Sequence, residues 1–169
     1  MDIIADELDV SILSDQQINI LIEELKKIYQ SFGYNNIQID ENYEILNNNS
    51  ANLYLTFDEG KITKIKSINI FGNQNINNDI ILSKIKSKTK KITNIFANNN
   101  FKLFQINNDI IRIKNLYKSQ GYKDVKLEFD IEYYANNKVD VNFYIEEGGR
   151  YYFSSLKVQN DLNDNINLN

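Results

Sequence analysis

The sequence predicts an α+β fold built from tandem units of order strand-helix-helix-strand-strand. In each unit two helices pack on one face of a three-stranded mixed sheet. Three observations carry that prediction. First, the apolar period changes at Gly121. Behind it Ile106, Ile110, Ile113 and Tyr117 recur at helical spacing, and ahead of it Val125, Leu127, Phe129, Ile131 and Tyr133 alternate with Lys126, Glu128, Asp130 and Glu132. Second, the segment from Ile28 to Ile37 matches the segment from Leu116 to Val125 position for position, so that Gly33 falls on Gly121, 88 positions on. The same ungapped shift carries Glu59-Gly60 onto Glu147-Gly148 and Ile68-Asn69-Ile70 onto Leu156-Lys157-Val158. Third, the periodic segments are punctuated by turn glycines, namely Gly33, Gly72, Gly121 and Gly148. At Gly33 and Gly121 a left-handed residue stops a helix at little cost, because there is no Cβ.

Composition excludes several functions. The chain of 169 residues is 42% hydrophobic, with 11 Tyr and 9 Phe, enough to fill folded cores. Its net charge is −4 with both signs interspersed, which argues against nucleic acid as a partner. It has no Cys and no His, so disulfides, thiolate nucleophiles, Cys-metal sites and Ser-His-Asp chemistry are absent. No apolar run reaches the roughly 20 residues of a membrane-spanning helix, and residues 1–7 do not read as a signal peptide. The Asn runs 47–49 and 98–100 read as loops.

Taken in order, residues 1–13 read as the remains of a preceding unit. Ser14 with Gln17 suggests a capping box for a helix that buries Ile18, Leu21, Ile22, Leu25, Ile28 and Phe32. Strands follow at about 36–45 and, through Leu53, Leu55 and Phe57, after the turn at 47–50. The complete unit is expected at 61–148, between a partial unit at 1–60 and the first strand of another, with a polar tail, at 149–169. Its first strand is about 64–71 with Ile68 and Ile70 inward. A short helix capped by Asn77 or Asn78 follows, and a second helix is expected at about 108–120. The hairpin pairs a strand at 123–134 with one at 139–146, whose Val139, Val141, Phe143 and Ile145 face in while Asp140, Asn142 and Glu146 face out. Residues 150–158 read as a further first strand.

That order, with these residues, resembles the POTRA domain. The matching features are Ile68-Asn69-Ile70-Phe71-Gly72-Asn73, the helix end Tyr117-x-x-x-Gly121-Tyr122, and Tyr144-Ile145-Glu146-Glu147-Gly148 running into Arg150-Tyr151. The resemblance covers about residues 14–158 and is strongest to the periplasmic arms of BamA-type outer-membrane protein assembly factors of Gram-negative bacteria. It implies a periplasmic, non-enzymatic arm without cofactors. Such an arm is attached through its own C-terminal β-barrel, absent from this chain; it receives unfolded outer-membrane proteins and docks accessory lipoproteins. Arms of secretion or organellar import pores are the alternative within the superfamily, and a scaffold of repeated α+β modules the alternative outside it.

The resemblance also implies where a client binds. The second strand of a POTRA sheet is typically an edge, and an edge offers unpaired N–H and C=O groups to an extended peptide. Here that edge comprises Lys123, Val125, Lys126, Leu127, Glu128, Phe129, Asp130, Ile131 and Glu132, with 36–45 as its counterpart in the preceding unit. Other side-chain clusters have plainer readings. Glu128, Asp130, Glu132 and Asp140 alternate with apolar residues and read as a solvated sheet face rather than an acid-base or metal site. Lys84, Lys86, Lys88, Lys90 and Lys91 read as a solvated helix end and loop, with lipid head groups or an acidic partner as the sharper alternative. Tyr29 and Tyr117 read as core, and Tyr34 and Tyr122 as anchors of the helix ends against the sheet.

Overall fold

The computed structural model describes residues 14–90 and 98–157. The expected features at 1–13, at 91–97 and beyond Lys157 lie outside the described residues. Eight elements follow one another: α1 (Asp15–Phe32), β1 (Gln38–Ile45), β2 (Ala51–Asp58), β3 (Lys64–Phe71), α2 (Asn78–Lys84), α3 (Leu103–Ser119), β4 (Lys126–Tyr134) and β5 (Lys138–Glu146). They form two sheets. β1 and β2 make an antiparallel hairpin, and the second sheet has the order β3-β5-β4, with β5 parallel to β3 and antiparallel to β4.

The larger core lies between the second sheet and helices α2 and α3. Val139, Val141 and Phe143 on the central strand are fully buried, against Ile81, Ile106, Ile113 and Tyr117 from the helices. Each such side chain contributes roughly 1.5–3 kcal/mol by leaving water. On β3 the pairing register shifts between Ile65 and Ser67. That bulge carries Ile65, Ile68 and Ile70 to the same face despite the three-residue step from Ile65 to Ile68. A smaller core joins α1 to its hairpin through Ile18, Ile22, Ile37 and Ile39, with Leu25, Tyr29, Leu53, Leu55 and Phe57 packed on it.

The 88-residue repeat is visible in space. In both copies the helix ends in the same pair of bonds: Gly33 N–H to the Gln30 carbonyl and Tyr34 N–H to Tyr29 at 3.0 and 3.2 Å, and Gly121 N–H to Lys118 and Tyr122 N–H to Tyr117, both at 3.1 Å. Both glycines have left-handed φ, 104° and 95°. The aromatic pairs behind them also match, with Tyr29–Tyr34 at 6.0 Å and 71° and Tyr117–Tyr122 at 5.7 Å and 74°. Both hairpins turn through a left-handed asparagine, Asn49 at 58° and Asn137 at 56°. The exit from each unit matches as well. Thr63 N–H donates to the Gly33 carbonyl and Tyr151 N–H to the Gly121 carbonyl, each at 2.9 Å.

Around Gly33 the first unit is tied to the second by side chains of the loop before α3 and the turn after α1. Asn100 Nδ2 donates to the Phe32 carbonyl and Asn35 Nδ2 to the Phe101 carbonyl, both at 3.1 Å. Phe101, buried in the larger core, therefore sits at the joint between the two units.

Several expectations are corrected. Ser14 is the N-cap of α1 but its side chain makes no capping bond, so no capping box forms. Ile28 and Phe32 are exposed, because the two-stranded hairpin covers a narrow stripe at Ile18, Ile22, Leu25 and Tyr29 that runs beside them along the helix. Helix α3 begins at Leu103, ahead of the asparagines read as its start, because burial of Ile106 favours a turn through that segment over a cap signal. Residues 150–157 form no strand. In the second sheet β3 is held by β5, with Lys64 opposite Lys138, whereas among the described residues no strand pairs with 150–157.

Candidate functional site

A three-stranded sheet in the order β3-β5-β4 leaves β3 and β4 as edges. The start of β3 is covered. Ile65 N–H donates to the Asn99 carbonyl at 2.7 Å, Asn99 Nδ2 returns to the Ile65 carbonyl at 3.0 Å, and Lys64 bridges to Asn100. Among the described residues no strand or bridge pairs with the outer side of β4. Among the described residues its counterpart β1 likewise pairs only with β2.

The direction of the free groups on β4 follows from one bond in the first hairpin. Leu46 N–H donates to the Ser50 carbonyl at 2.8 Å, so Leu46 and Ser50 are a hydrogen-bonded pair. In an antiparallel ladder such pairs alternate with non-bonded ones. The repeat places Tyr134 and Lys138 at the corresponding positions, and the register from Tyr134–Lys138 to Lys126–Glu146 is unbroken. Lys126, Glu128, Asp130 and Glu132 therefore spend their backbone groups on β5. Leu127, Phe129, Ile131 and Tyr133 point theirs outward.

The residues expected at the edge are thus sorted by two alternations. Lys126, Glu128, Asp130 and Glu132 present exposed side chains and inward backbone; Leu127 is buried, and Phe129 and Ile131 are half-buried against the core, with outward backbone. Lys123 and Val125 are not on the strand. Residues 121–125 are held in a turn by the Lys123 N–H bond to the Gly121 carbonyl and by Tyr151, whose hydroxyl donates to Asp124. Val125 is buried in the core and Lys123 is exposed. The turn glycines Gly33, Gly72, Gly121 and Gly148 all have positive φ.

The carboxylates do not form one solvated row. Asp140 on the central strand is only 8% exposed, since the strands on both sides flank it and Lys66 Nζ sits 4.0 Å above the Tyr134 ring. Burial pushes its pKa up, but Ser67, Tyr134 and Lys66 around it outweigh this and hold the carboxyl below its usual value. Tyr134 donates its hydroxyl to Asp140 at 2.8 Å. Among the described residues no three or more carboxylates gather to hold a metal ion.

Two acidic anchors were not singled out by sequence reasoning. Glu147, 7% exposed, accepts from the Asn75 N–H at 3.0 Å, from the Asn75 side chain and from the Tyr117 hydroxyl at 2.9 Å. It thereby ties the end of the sheet to α3 and to the loop before α2. Asp109, fully buried on α3, accepts from the Lys86 and Ser87 N–H groups at 2.8 and 2.9 Å and from Arg112 at 2.7 Å. The repeated Glu-Gly at 59–60 and 147–148 was a signal for the first; nothing in the local pattern marks the second.

Comparison with known proteins agrees with this architecture. The family model POTRA, described as surface antigen variable number repeat, matches residues 63–148, just over half of the chain. The chain belongs to the POTRA family. Over 151 residues it is 28% identical to the outer membrane protein assembly factor BamA of Neisseria meningitidis serogroup B, and over 147 residues 28% identical to BamA of Buchnera aphidicola subsp. Acyrthosiphon pisum. These alignments take in 87% and 85% of this chain but only 19% and 24% of the two relatives, so the chain spans about a fifth of their length. Among solved structures, BamA from Haemophilus ducreyi lacking POTRA domains 1–3 superposes with a TM-score of 0.53 at 14% identity, covering 80% of this chain and 24% of that one. That likeness is one of fold. The POTRA match sits on the sheet that carries β4.

Proposed function

We propose that this chain is a polypeptide-binding part of the periplasmic arm of an outer-membrane β-barrel assembly machine. Unfolded outer-membrane proteins add as an extra strand beside β4. Accessory lipoproteins dock on the same arm, and a C-terminal barrel attaches it to the outer membrane. The arm binds and passes on its clients without chemistry of its own. In this reading residues 61–148 are one complete unit, 1–60 carry the second helix and hairpin of the preceding one, and 149–169 begin the next. The matching exits at Gly33–Thr63 and Gly121–Tyr151 support that division.

The observation that carries the proposal is the outer side of β4, where Leu127, Phe129, Ile131 and Tyr133 direct unpaired N–H and C=O groups away from β5. Main-chain pairing is nearly blind to side chains, which suits a receptor for many clients. Each bond contributes a net ~0.5–1.5 kcal/mol, and ordering a flexible chain offsets much of the total, so single peptides bind weakly.

A proline test must respect the backbone phase. Proline at Lys126 or Glu128 would break the ladder to β5, whereas Tyr133→Pro removes an outward donor at a residue that is 65% exposed. The experiment is an amide-shift titration with extended peptides from outer-membrane strands, on wild type, Tyr133→Pro and Tyr133→Ala, with folding checked. The expected result is shifts along β4 that weaken with proline and persist with alanine. Shifts confined to α2 and α3 would reject edge addition.

A further inference from the structure

A basic cleft lies beside helices α2 and α3. Its walls are the end of α2 and the segment after it on one side, and the start of α3 on the other. It encloses about 600 Å³ and is lined by Ser83, Lys84, Ile85, Lys86, Lys88 and Lys102, among others, with no carboxylate among the described lining residues. In a chain of net charge −4 that is a local reversal of sign.

The cleft's lysines are set by backbone geometry. Helix α2 ends at Lys84, and the next residue, Ile85, has extended φ and ψ of −82° and 152°. From there exposure alternates: Ile85 and Ser87 are buried at 2% and 3%, while Lys84, Lys86 and Lys88 are exposed. An extended segment puts alternate side chains on one side, spaced ~6.6 Å apart. Asp109 clamps the segment from below through the Lys86 and Ser87 N–H groups. Because Asp109 also pairs with Arg112, its charge is committed there.

Lys88 is partly used, since its Nζ donates to the Leu82 and Ile85 carbonyls at the end of α2. Lys84, Lys86 and Lys102 take part in no ion pair among the described residues. Next to Lys102 at the start of α3 stand Leu103 and Phe104, 49% and 51% exposed. Lysines beside exposed apolar side chains are the pattern of a surface that meets lipid head groups and their upper acyl region together.

We propose that this cleft binds phosphate groups at an anionic phospholipid surface, holding the arm against the membrane while β4 stays open to clients. The choice of a lipid surface over free phosphate rests on the reading of this chain as an arm beside the outer membrane.

The test uses the full chain and sedimentation with vesicles of phosphatidylcholine alone or mixed with phosphatidylglycerol. The chain should partition onto the mixed vesicles and not onto neutral ones. The triple variant Lys84→Gln, Lys86→Gln, Lys102→Gln should lose about fivefold per lysine, on the order of a hundredfold together. A control triple, Lys27→Gln, Lys61→Gln, Lys118→Gln, carries the same charge change elsewhere and should retain partitioning. Raising salt should weaken it as the charges are screened. Equal binding to neutral vesicles, equal loss in the control triple, or no partitioning onto either vesicle overturns the proposal. So do amide shifts at Lys86 and Ser87 with inorganic phosphate in a chain that vesicles do not retain, which would mark a free-anion site. The β4 peptide titration on the cleft triple separates the two readings, because edge addition should be unchanged there.

Discussion

The Tyr117 hydroxyl donates to the Glu147 carboxylate at 2.9 Å across the packed interface of α3 and the end of the sheet. Tyr117 is the largest fully buried side chain among the described residues, and Glu147 sits at the junction that the 88-residue repeat marks. Burial, and then Glu147 itself, push the Tyr117 hydroxyl well above its ordinary pKa. On Glu147 burial acts upward, but the bonds from Asn75, Tyr117 and Gln74 outweigh it and hold the carboxyl below its ordinary 4.5. This bond joins the helix layer to the exit of the unit, beside the bonds from Asn75 to Glu147 and from Tyr151 N–H to the Gly121 carbonyl.

The sign of the pH dependence follows. A carboxyl whose folded pKa lies below its unfolded value stabilises the fold above the unfolded pKa, and that contribution is lost as pH falls through the folded one. Stability measured by urea unfolding should therefore fall on acidification below about pH 4.5. Glu147→Gln should flatten that part of the profile. Tyr117→Phe should cost about 1–3 kcal/mol at neutral pH by removing a donor from a buried carboxylate. An unchanged acid profile in Glu147→Gln would contradict this account.

Asp109 carries a comparable load between the helices. Asp109→Ala leaves the Lys86 and Ser87 N–H groups without their acceptor and Arg112 without its partner. The expected loss is about 2–5 kcal/mol in urea unfolding. Asp109→Asn keeps one acceptor oxygen and should cost less. Equal losses for the two would assign the effect to charge alone.

The turn after β3 gives a steric test. A Cβ at Gly72 would stand 2.1 Å from the Ile145 carbonyl oxygen, at a φ of 83°. At Gly149 a Cβ meets nothing within 4 Å. Gly72→Ala should lower stability by about 2–5 kcal/mol, combining the left-handed penalty with a backbone clash. Gly149→Ala should be within about half a kcal/mol of wild type. A tolerated alanine at Gly72 would mean that β5 does not pass where it is placed.

Phe129 refines an expectation from the strand pattern. Its alternation places it between sheet and helix, where full burial would make Phe129→Ala cost about 3–5 kcal/mol. It is only half-buried, because β4 is the edge and the helices cover the central strand first. About 1.5–3 kcal/mol is the expected loss by denaturant unfolding.

Much of this was legible before any coordinates. The period change at Gly121 and the 88-residue shift locate the helices, the hairpins and the paired tyrosines, because those signals are local and occur twice. Three features were not legible, for different reasons. The start of α3 depends on burial of Ile106, a tertiary effect that overrides the asparagine cap signals after it. Asp109 looks like a solvated residue on a helix, because its partners Lys86 and Ser87 lie in another segment. The backbone phase of β4 has the same period as its side chains, so the pattern cannot say which residues point N–H outward. One cross-strand bond, Leu46 to Ser50, settles that through the repeat. Of the nine expected edge residues seven lie on β4, while Lys123 and Val125 fall in the turn before it, and the outward backbone belongs to Leu127, Phe129 and Ile131 rather than to the residues with exposed charged side chains.

The most direct measurement is residue-resolved amide hydrogen exchange of the full chain, alone and with an extended outer-membrane strand peptide. In the free chain, Leu127, Phe129, Ile131 and Tyr133 should exchange rapidly while Glu128, Asp130 and Glu132 are protected by β5. With the peptide bound, the first set should gain protection and the second should change little, leaving an alternating difference along β4. Protection of the first set in the free chain, or a peptide effect that is uniform along β4 or lies on α2 and α3 instead, would contradict the edge as the client's binding place.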